Sequence, residues 1–410
     1  MIVQISKNAY SAWMHTFLAL CAVGAETILS NELKLSGFKP AAKLPGRVFF
    51  TAGAGEAEPL MLSMFRANFY LRTADRIYLV LKTFSAENFD DLFEAVFSID
   101  WQDWFFKDSK ITIDKARIYK STLNSEHAVQ SVAHKAICEK LCKVWKMRLL
   151  PESGTAFALR IYIEKDRAHV CLDLSGEPLH RRGYRLSGGA APMRETLAAT
   201  LLHCLMWKRK FPLHDAFCGS GTIPIEATWF AHNIPPGINR SFMFENFACF
   251  DKAKSRALIA QEKEKAIRSI KTDCLVRITG SDKDASMVSL AQKNAERACM
   301  IAGRALQSVG DDSKIPRPEF VQADFSDLAA PYPEGILLSN PPYGERLDNK
   351  EEALLLYQAM TKLPEAFTGW KLGFITDKPE FESIFAKAGF PLKKKELKGG
   401  NLNTCLYIYG

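Results

Sequence analysis

From residue 211 onward the sequence alternates short apolar runs with helical stretches, and four of those runs end in a polar residue: Asp215, Asp282, Asp324 and Asn340. Apolar runs too short for helices, each leading into a helix, are the pattern of a mostly parallel sheet with crossover helices. Open sheets of this kind bind ligands outside the carboxyl ends of their strands. The pattern therefore gathers these four side chains on one rim.

The first strand end carries the most detail. Residues 211–213 lead in as a short strand and 223–231 continue as an apolar helix start. The glycines of His214-Asp215-Ala216-Phe217-Cys218-Gly219-Ser220-Gly221-Thr222 thus occupy a strand-to-helix turn, where a ligand can approach the backbone and the helix N-terminus. A dinucleotide fold reads Gly-x-Gly-x-x-Gly, whereas here an acid precedes the turn. That acid would repel a pyrophosphate but suits the cationic amino end of S-adenosylmethionine. Residues 276–282 read as the next strand, ending at Asp282 before the helical stretch 285–298. An acid at this place hydrogen-bonds ribose hydroxyls in doubly wound sheets. Residues 320–324 repeat the pattern, and Asp324 is placed to accept a bond from an adenine amino group. Taken singly, either aspartate reads first as a helix cap or turn residue, and Asp284 as the cap of the helix beside it. The ordered series outweighs that reading.

The fourth end is Asn340-Pro341-Pro342-Tyr343, after the buried run 335–339. An Asn carboxamide oxygen and the next backbone carbonyl can both accept from one exocyclic amino group of a nucleobase. Two acceptors on those hydrogens favour pyramidal nitrogen and bring its lone pair forward. The prolines stiffen the loop, Pro342 has no competing donor, and the Tyr343 ring offers a stacking surface. This chemistry serves any exocyclic amine, whether of guanine, adenine or cytosine.

Residues 190–410 resemble class I S-adenosylmethionine-dependent methyltransferases of the exocyclic-amine type. The pairing of Asp215-Ala-Phe-Cys-Gly-Ser-Gly-Thr-Ile-Pro-Ile-Glu226 with Ser339-Asn-Pro-Pro-Tyr-Gly-Glu-Arg346 is similar to the THUMP-domain RNA guanine-N2 methyltransferases, the ribosomal large-subunit family. The likeness extends to 17–26, 72–76, Arg181-Arg182-Gly183-Tyr184-Arg185 and 191–197. It implies an α/β chain: a C-terminal Rossmann-like class I methyltransferase fold, with a seven-stranded mostly parallel sheet, behind an N-terminal α+β ferredoxin-like and THUMP region. The expected division is 1–100, 101–180 and 181–410. By the same resemblance, the turn of Asp215, Gly219, Gly221 and Thr222 meets the methionine part of S-adenosylmethionine, Asp282 the ribose and Asp324 the adenine. Asn340, which also borders the cofactor, would hold the target guanine with Pro341 and Tyr343. The implied product is N2-methylguanosine, in 23S rRNA first and tRNA next. The rivals are a DNA adenine-N6 or cytosine-N4 methyltransferase and a non-catalytic RNA-binding assembly factor.

Charge is concentrated in the front half. Residues 110–148 hold nine basic and three acidic residues, a local +6 against +8 for the whole chain. Ser125 is expected to cap a helix running to about residue 147, with Val129, Val132, Ala136, Ile137, Leu141 and Val144 inward. Lys135, Lys143 and Lys146 then project outward with Lys115 and Arg117 to meet RNA phosphates, and Arg181, Arg182 and Arg185 continue the track toward the active site. Arg194 and Glu195 approach the cofactor from the linker, Glu345 and Arg346 lie beside the site, and His214 is structural. The charged stretch 250–272 reads as a helical excursion with a solvated face, and 393–403 as a basic exposed turn before a last strand. The ten cysteines include no Cys-x-x-Cys pair and read as reduced and packed. Cys138 and Cys142, four apart on one helix, favour core packing over a metal site. The run 17–25 lacks the basic leader of a signal peptide, and no apolar run approaches the roughly 20 residues that span a bilayer. The expectation is a cytoplasmic protein with an RNA partner, no membrane and no metal.

Overall fold

The computed structural model describes residues 15–52, 60–185, 193–342, 350–399 and 402–410. The front half runs β1 (Thr16–Leu20), α1 (Glu26–Leu35), β2 (Lys39–Leu44), β3 (Arg47–Thr51), α2 (Leu60–Tyr70), β4 (Arg76–Ser85), α3 (Phe89–Phe97), β5 (Lys110–Tyr119), α4 (Glu126–Trp145), β6 (Ala156–Glu164) and β7 (Arg167–Asp173). These strands make one seven-stranded sheet in the order β2-β3-β1-β4-β7-β6-β5. Strand alternation puts Phe17, Ala19, Val48, Phe50, Ile77 and Leu79 on the face that forms the main core. Strands β4 and β7 pair antiparallel from Tyr78↔Asp173 to Ser85↔Arg167, so the strands before residue 100 and those after it share one hydrogen-bonded sheet.

Helix α4 begins as expected, the Ser125 hydroxyl accepting the Ala128 N–H at 3.2 Å. Its buried stripe is Val129, Ala133, Ala136, Ile137 and Leu141. Val144 departs from the expectation and is 41% exposed. It lies in the final turn, just before Lys146 takes a left-handed conformation (φ 55°), and the neighbouring Trp145 packs on the core instead.

The back half contains α5 (Glu195–Cys204), β8 (Leu213–Asp215), α6 (Thr222–Ala231), α7 (Lys252–Arg268), β9 (Ile278–Asp282), α8 (Ala285–Gln307), β10 (Glu319–Gln322), β11 (Gly335–Ser339), α9 (Lys350–Met360), α10 (Leu363–Ala366), β12 (Trp370–Thr376), α11 (Glu380–Lys387), β13 (Lys393–Gly399) and β14 (Leu402–Tyr409). The sheet order is β10-β9-β8-β11-β12-β14-β13. The first five strands are parallel, and β14 pairs antiparallel with β12 and β13. The chain leaves β8 toward β9 on one side and returns at β11 on the other. That reversal makes the crevice in which open sheets bind ligands.

Two expectations are corrected by these strands. Strand β8 starts at Leu213 rather than residue 211; Pro212 has no N–H to donate and contributes only its carbonyl, to Ile336 N–H at 2.9 Å. The basic stretch 393–403 is not merely an exposed turn, because Lys393–Gly399 pairs with the last strand and buries Leu397. Helix α7 keeps the expected solvated face, and Glu262 docks it on α2, pairing with Arg66 at 2.9 Å and accepting from the Tyr70 hydroxyl at 3.2 Å.

The two halves also meet along β13. Val23 exchanges both backbone hydrogen bonds with Lys398, each 2.8 Å. The adjoining Gly24 has φ +92°, and a Cβ there would stand 2.1 Å from the Glu396 carbonyl oxygen. Only glycine permits this approach.

Candidate active site

The crevice is fastened by its own strand ends. Ser339, last in β11, accepts the Ala216 N–H at 2.8 Å, and Cys218 N–H donates to the Ser281 carbonyl at 2.9 Å. The tips of β8, β9 and β11 are thereby locked together. Asp215 is fully buried and accepts the Phe217 N–H at 3.1 Å. Burial raises its carboxyl to about 7, against the opposing pull of that N–H and of Ser339. No ion pair with a cation is present for it among the described residues.

Gly219 has φ +50°, and a Cβ there would meet nothing within 4 Å, so the turn is open on this side. Its N–H donates to Asp282 Oδ2 at 2.9 Å, while Asp282 Oδ1 accepts the Asp284 N–H at 3.0 Å. The Asp282 carboxylate is therefore held in a fixed orientation at the end of β9. Gly221 serves packing: at φ +82° it precedes α6, and a Cβ would crowd the Phe320 ring at 2.9 Å and Ala291 at 3.0 Å. Its N–H is already spent on the Cys218 carbonyl at 2.8 Å. The Thr222 hydroxyl is 3.0 Å from Arg185 Nη2. Asp324 lies two residues past β10, its Oδ1 accepting both the N–H (2.9 Å) and the hydroxyl (2.7 Å) of Ser326. Those bonds pull its carboxyl below the usual range. Asp284 caps α8 through the Ser286 N–H at 2.7 Å, as expected.

Asn340 stands at the end of β11 with Oδ1 shielded from solvent and without a hydrogen-bond partner among the described residues. An unpaired buried acceptor costs free energy, about 1–3 kcal/mol, unless something supplies a donor. Pro341 beside it is buried, and the Pro342 carbonyl is 3.5 Å from the hydroxyl of Tyr357 on α9. Tyr343, Glu345 and Arg346 lie outside the described residues. His214 is structural, its ring between Thr279 Oγ1 (2.8 Å) and Ser281 Oγ (3.2 Å) and kept neutral by burial, which lowers it to about 4.

The linker arginines depart from their expected RNA track. Arg182 is 2% exposed and donates to the carbonyls of Leu179 and Arg72, both at 2.6 Å, with Glu226 at 3.6 Å. Arg185 binds the Met193 carbonyl (2.8 Å) and Glu195 (3.2 Å). Both help to hold the linker, and Arg182 is too deeply buried to reach a phosphate. Arg181 is exposed and pairs with Glu177. Glu195 is buried and raised to about 7, and Arg194 turns to Asp75 of the front half at 3.7 Å.

On the front half, Lys135, Lys143 and Lys146 are exposed as expected, Lys143 lying 5.5 Å above the Phe97 ring. Arg117 is exposed but paired with Glu126 at 2.9 Å, and Lys115 is half-buried on β5. Among the described residues no cluster of three or more His, Cys, Asp or Glu could hold a metal, and no helix is long and apolar enough to cross a membrane. Cys138 and Cys142 pack against the core. Sequence reasoning missed Asp377, which follows β12 as Asn340 follows β11. A polar residue after the apolar run 371–376 was the available signal.

A Gly turn after the first parallel strand, ordered acids on the next two and an Asn-Pro-Pro loop on the fourth are the layout of a Rossmann-like S-adenosylmethionine-dependent methyltransferase. The chain belongs to the RMKL-like methyltransferase family, whose domain model matches residues 182–408. Models of the RlmL ferredoxin-like domain and the THUMP domain match 16–78 and 86–173. It is 34% identical over 402 residues to the putative RNA methyltransferase YpsC of Bacillus subtilis, covering 96% of each chain. It is 31% identical over 400 residues to the ribosomal RNA large subunit methyltransferase K/L of Shewanella baltica, covering 97% of this chain and 53% of that one. The chain thus spans about half the length of the K/L enzyme. Among solved structures, SMU.472, a putative methyltransferase complexed with SAH, superposes with a TM-score of 0.80 at 31% identity, covering 97% of this chain and 98% of that one.

Proposed function

We propose that this chain transfers a methyl group from S-adenosylmethionine to N2 of a guanine in RNA, with 23S rRNA as the first candidate substrate. The observation that carries the proposal is the unpaired, buried Asn340 Oδ1 at the end of β11. The site fits the cofactor. Asp215 is a buried carboxyl with no ion pair among the described residues, beside a turn that is open at Gly219. Asp282 is oriented by two backbone N–H groups to meet hydroxyls.

When bound, S-adenosylmethionine supplies a methyl group activated by its sulfonium. The protein contributes orientation rather than a covalent intermediate. Asn340 Oδ1 and the Pro341 carbonyl accept the two hydrogens of the flipped-out amine, which directs its lone pair at the incoming methyl. The N–C bond forms as the S–C bond breaks, and the amine then gives up one proton to water. Cys218 is not needed as a nucleophile: burial and the neighbouring acids push its thiol far above the usual range. Exposed lysines on the THUMP segment hold the RNA backbone, and substrate and enzyme meet in the cytoplasm.

Mapping methylated nucleosides in RNA from cells with and without the protein tests this reading. Loss of one N2-methylguanosine from 23S rRNA is the expected result. Loss from tRNA would move the substrate, and a lost N6-methyladenine or N4-methylcytosine in DNA would replace the reading.

The raised Asp215 gives a pH signature. Its folded value lies above the unfolded one, so ionising it costs stability as pH rises toward 7, and a bound cation removes that cost. S-adenosylhomocysteine, through its ammonium, is therefore expected to bind more tightly as pH rises from 5.5 to 7. Calorimetry should find this slope flattened in Asp215→Asn, and an unchanged slope would count against the pairing.

For the front half, Lys135→Ala and Lys143→Ala are each expected to weaken RNA binding at any sequence. Each should reduce the slope of log K against log salt by about 1, with S-adenosylhomocysteine affinity unchanged. Filter binding at several salt concentrations measures both.

A further inference from the structure

We propose that Asp377 reads the Watson–Crick edge of the target base and makes the site selective for guanine. The inference rests on the methyltransferase reading above. Strands β11 and β12 are paired in parallel with Ser339 opposite Phe374, so Asn340 and Asp377 emerge from neighbouring strands at the same rim. Tyr357 links the two ends, its hydroxyl lying 3.5 Å from the Pro342 carbonyl and 3.1 Å from Thr376 Oγ1. Thr376 Oγ1 in turn accepts the Lys378 N–H at 3.2 Å, which fixes the backbone on both sides of Asp377.

The Asp377 side chain is a quarter exposed, yet its Oδ1 is shielded from solvent and makes no hydrogen bond among the described residues. Lys378 Nζ forms an ion pair with it at 3.8 Å, too long for a hydrogen bond, so a donor on a ligand can still take that oxygen. Asn340 Oδ1, without a partner, and Asp377 Oδ1, held by an ion pair but by no hydrogen bond, therefore stand at the ends of two adjacent strands. Guanine presents two adjacent donors on its Watson–Crick edge, N2–H and N1–H. Adenine and cytosine put a bare ring nitrogen where guanine has N1–H, and a carboxylate repels that lone pair. With Asn340 on N2–H, Asp377 accepts N1–H and discriminates against both other amine-bearing bases.

The test uses the full chain, radiolabelled S-adenosylmethionine and ribosomal RNA from cells lacking the protein, with product nucleosides identified by mass spectrometry. Wild type is expected to form N2-methylguanosine. Asp377→Ala should lower kcat/KM about 10- to 100-fold, with S-adenosylhomocysteine affinity and melting midpoint unchanged. The near-isosteric Asp377→Asn, which keeps the shape and loses the charge, should also fall, by about 10-fold. Activity within twofold of wild type in Asp377→Ala overturns the assignment and leaves the methyltransferase reading intact. Full activity in Asp377→Asn alongside an unstable Asp377→Ala also overturns it, since the role would then be structural. Methylation of adenine or cytosine by wild type removes the guanine assignment while transfer to an exocyclic amine stands. A wild type that methylates nothing in that RNA, even though it binds S-adenosylhomocysteine, sinks the substrate reading and this assignment together.

Discussion

Replacing Asn340 by Ala is expected to slow methyl transfer by about 100- to 1,000-fold while leaving the protein folded and able to bind S-adenosylhomocysteine. The size follows from the role proposed for the residue. A preorganised polar group aimed at charge developing in the transition state is worth about that much when removed. Oδ1 already lies desolvated and unpaired, so the free protein has met the cost of burying it and the substrate amine gains the benefit. No hydrogen bond of the fold is lost with that oxygen among the described residues, which separates a catalytic effect from unfolding. Asn340→Asp keeps an acceptor in place and should retain more activity than Ala. Single-turnover methyl incorporation, with calorimetry for S-adenosylhomocysteine, decides the matter. Full activity in Asn340→Ala would remove the central residue of the mechanism.

The strand ends of the catalytic sheet are legible in the sequence because each apolar run is local, and the residue that follows it must surface at the rim. Asp215, Asp282 and Asn340 are found this way, and Asp377 would be by the same rule. Partner choice is not local. Arg182 and Arg185 read as surface cations because isolated arginines seldom lie buried. Arg182 is buried and Arg185 half-buried because Glu226 and Glu195, 44 and 10 positions away, are placed against them by the fold. Strand β13 reads as a basic turn for a similar reason: its lysines mask one inward residue, Leu397, and its pairing with Val23 depends on the distant front half. The role of Gly221 is hidden as well. A Gly-x-Gly turn does not say which glycine admits a ligand, and only the Phe320 ring and Ala291 beside it assign this one to packing.

The buried ion network between the halves should be the most sensitive point for stability, and Glu226→Ala is expected to cost about 3–5 kcal/mol. Glu226 and Arg182 have side chains 0% and 1% exposed, and Glu226 also accepts from the Tyr184 hydroxyl at 3.1 Å. Removing the carboxylate leaves Arg182 charged, buried and unpaired. The loss spreads further, because Arg182 donates to the Arg72 carbonyl and Arg72 donates to the Ile234 carbonyl at 2.6 Å. Burial lowers Arg72 to about 10, and Glu226 is the first of the groups that oppose that drop. One substitution therefore uncovers Arg182 and leaves Arg72 with Glu32 alone of the two carboxylates that support it, at the seam that holds the THUMP-bearing half against the catalytic sheet. Arg181→Ala, which breaks an exposed pair three residues before Tyr184, should cost under about 1 kcal/mol. Urea denaturation of both variants measures the contrast. If Glu226→Ala were no less stable than Arg181→Ala, water would have to reach the network and the two halves would be more loosely joined than these distances imply. In that case an RNA bound on α4 as proposed would not be delivered to Asn340 by a fixed geometry, and methyl transfer would have to depend on how the halves move.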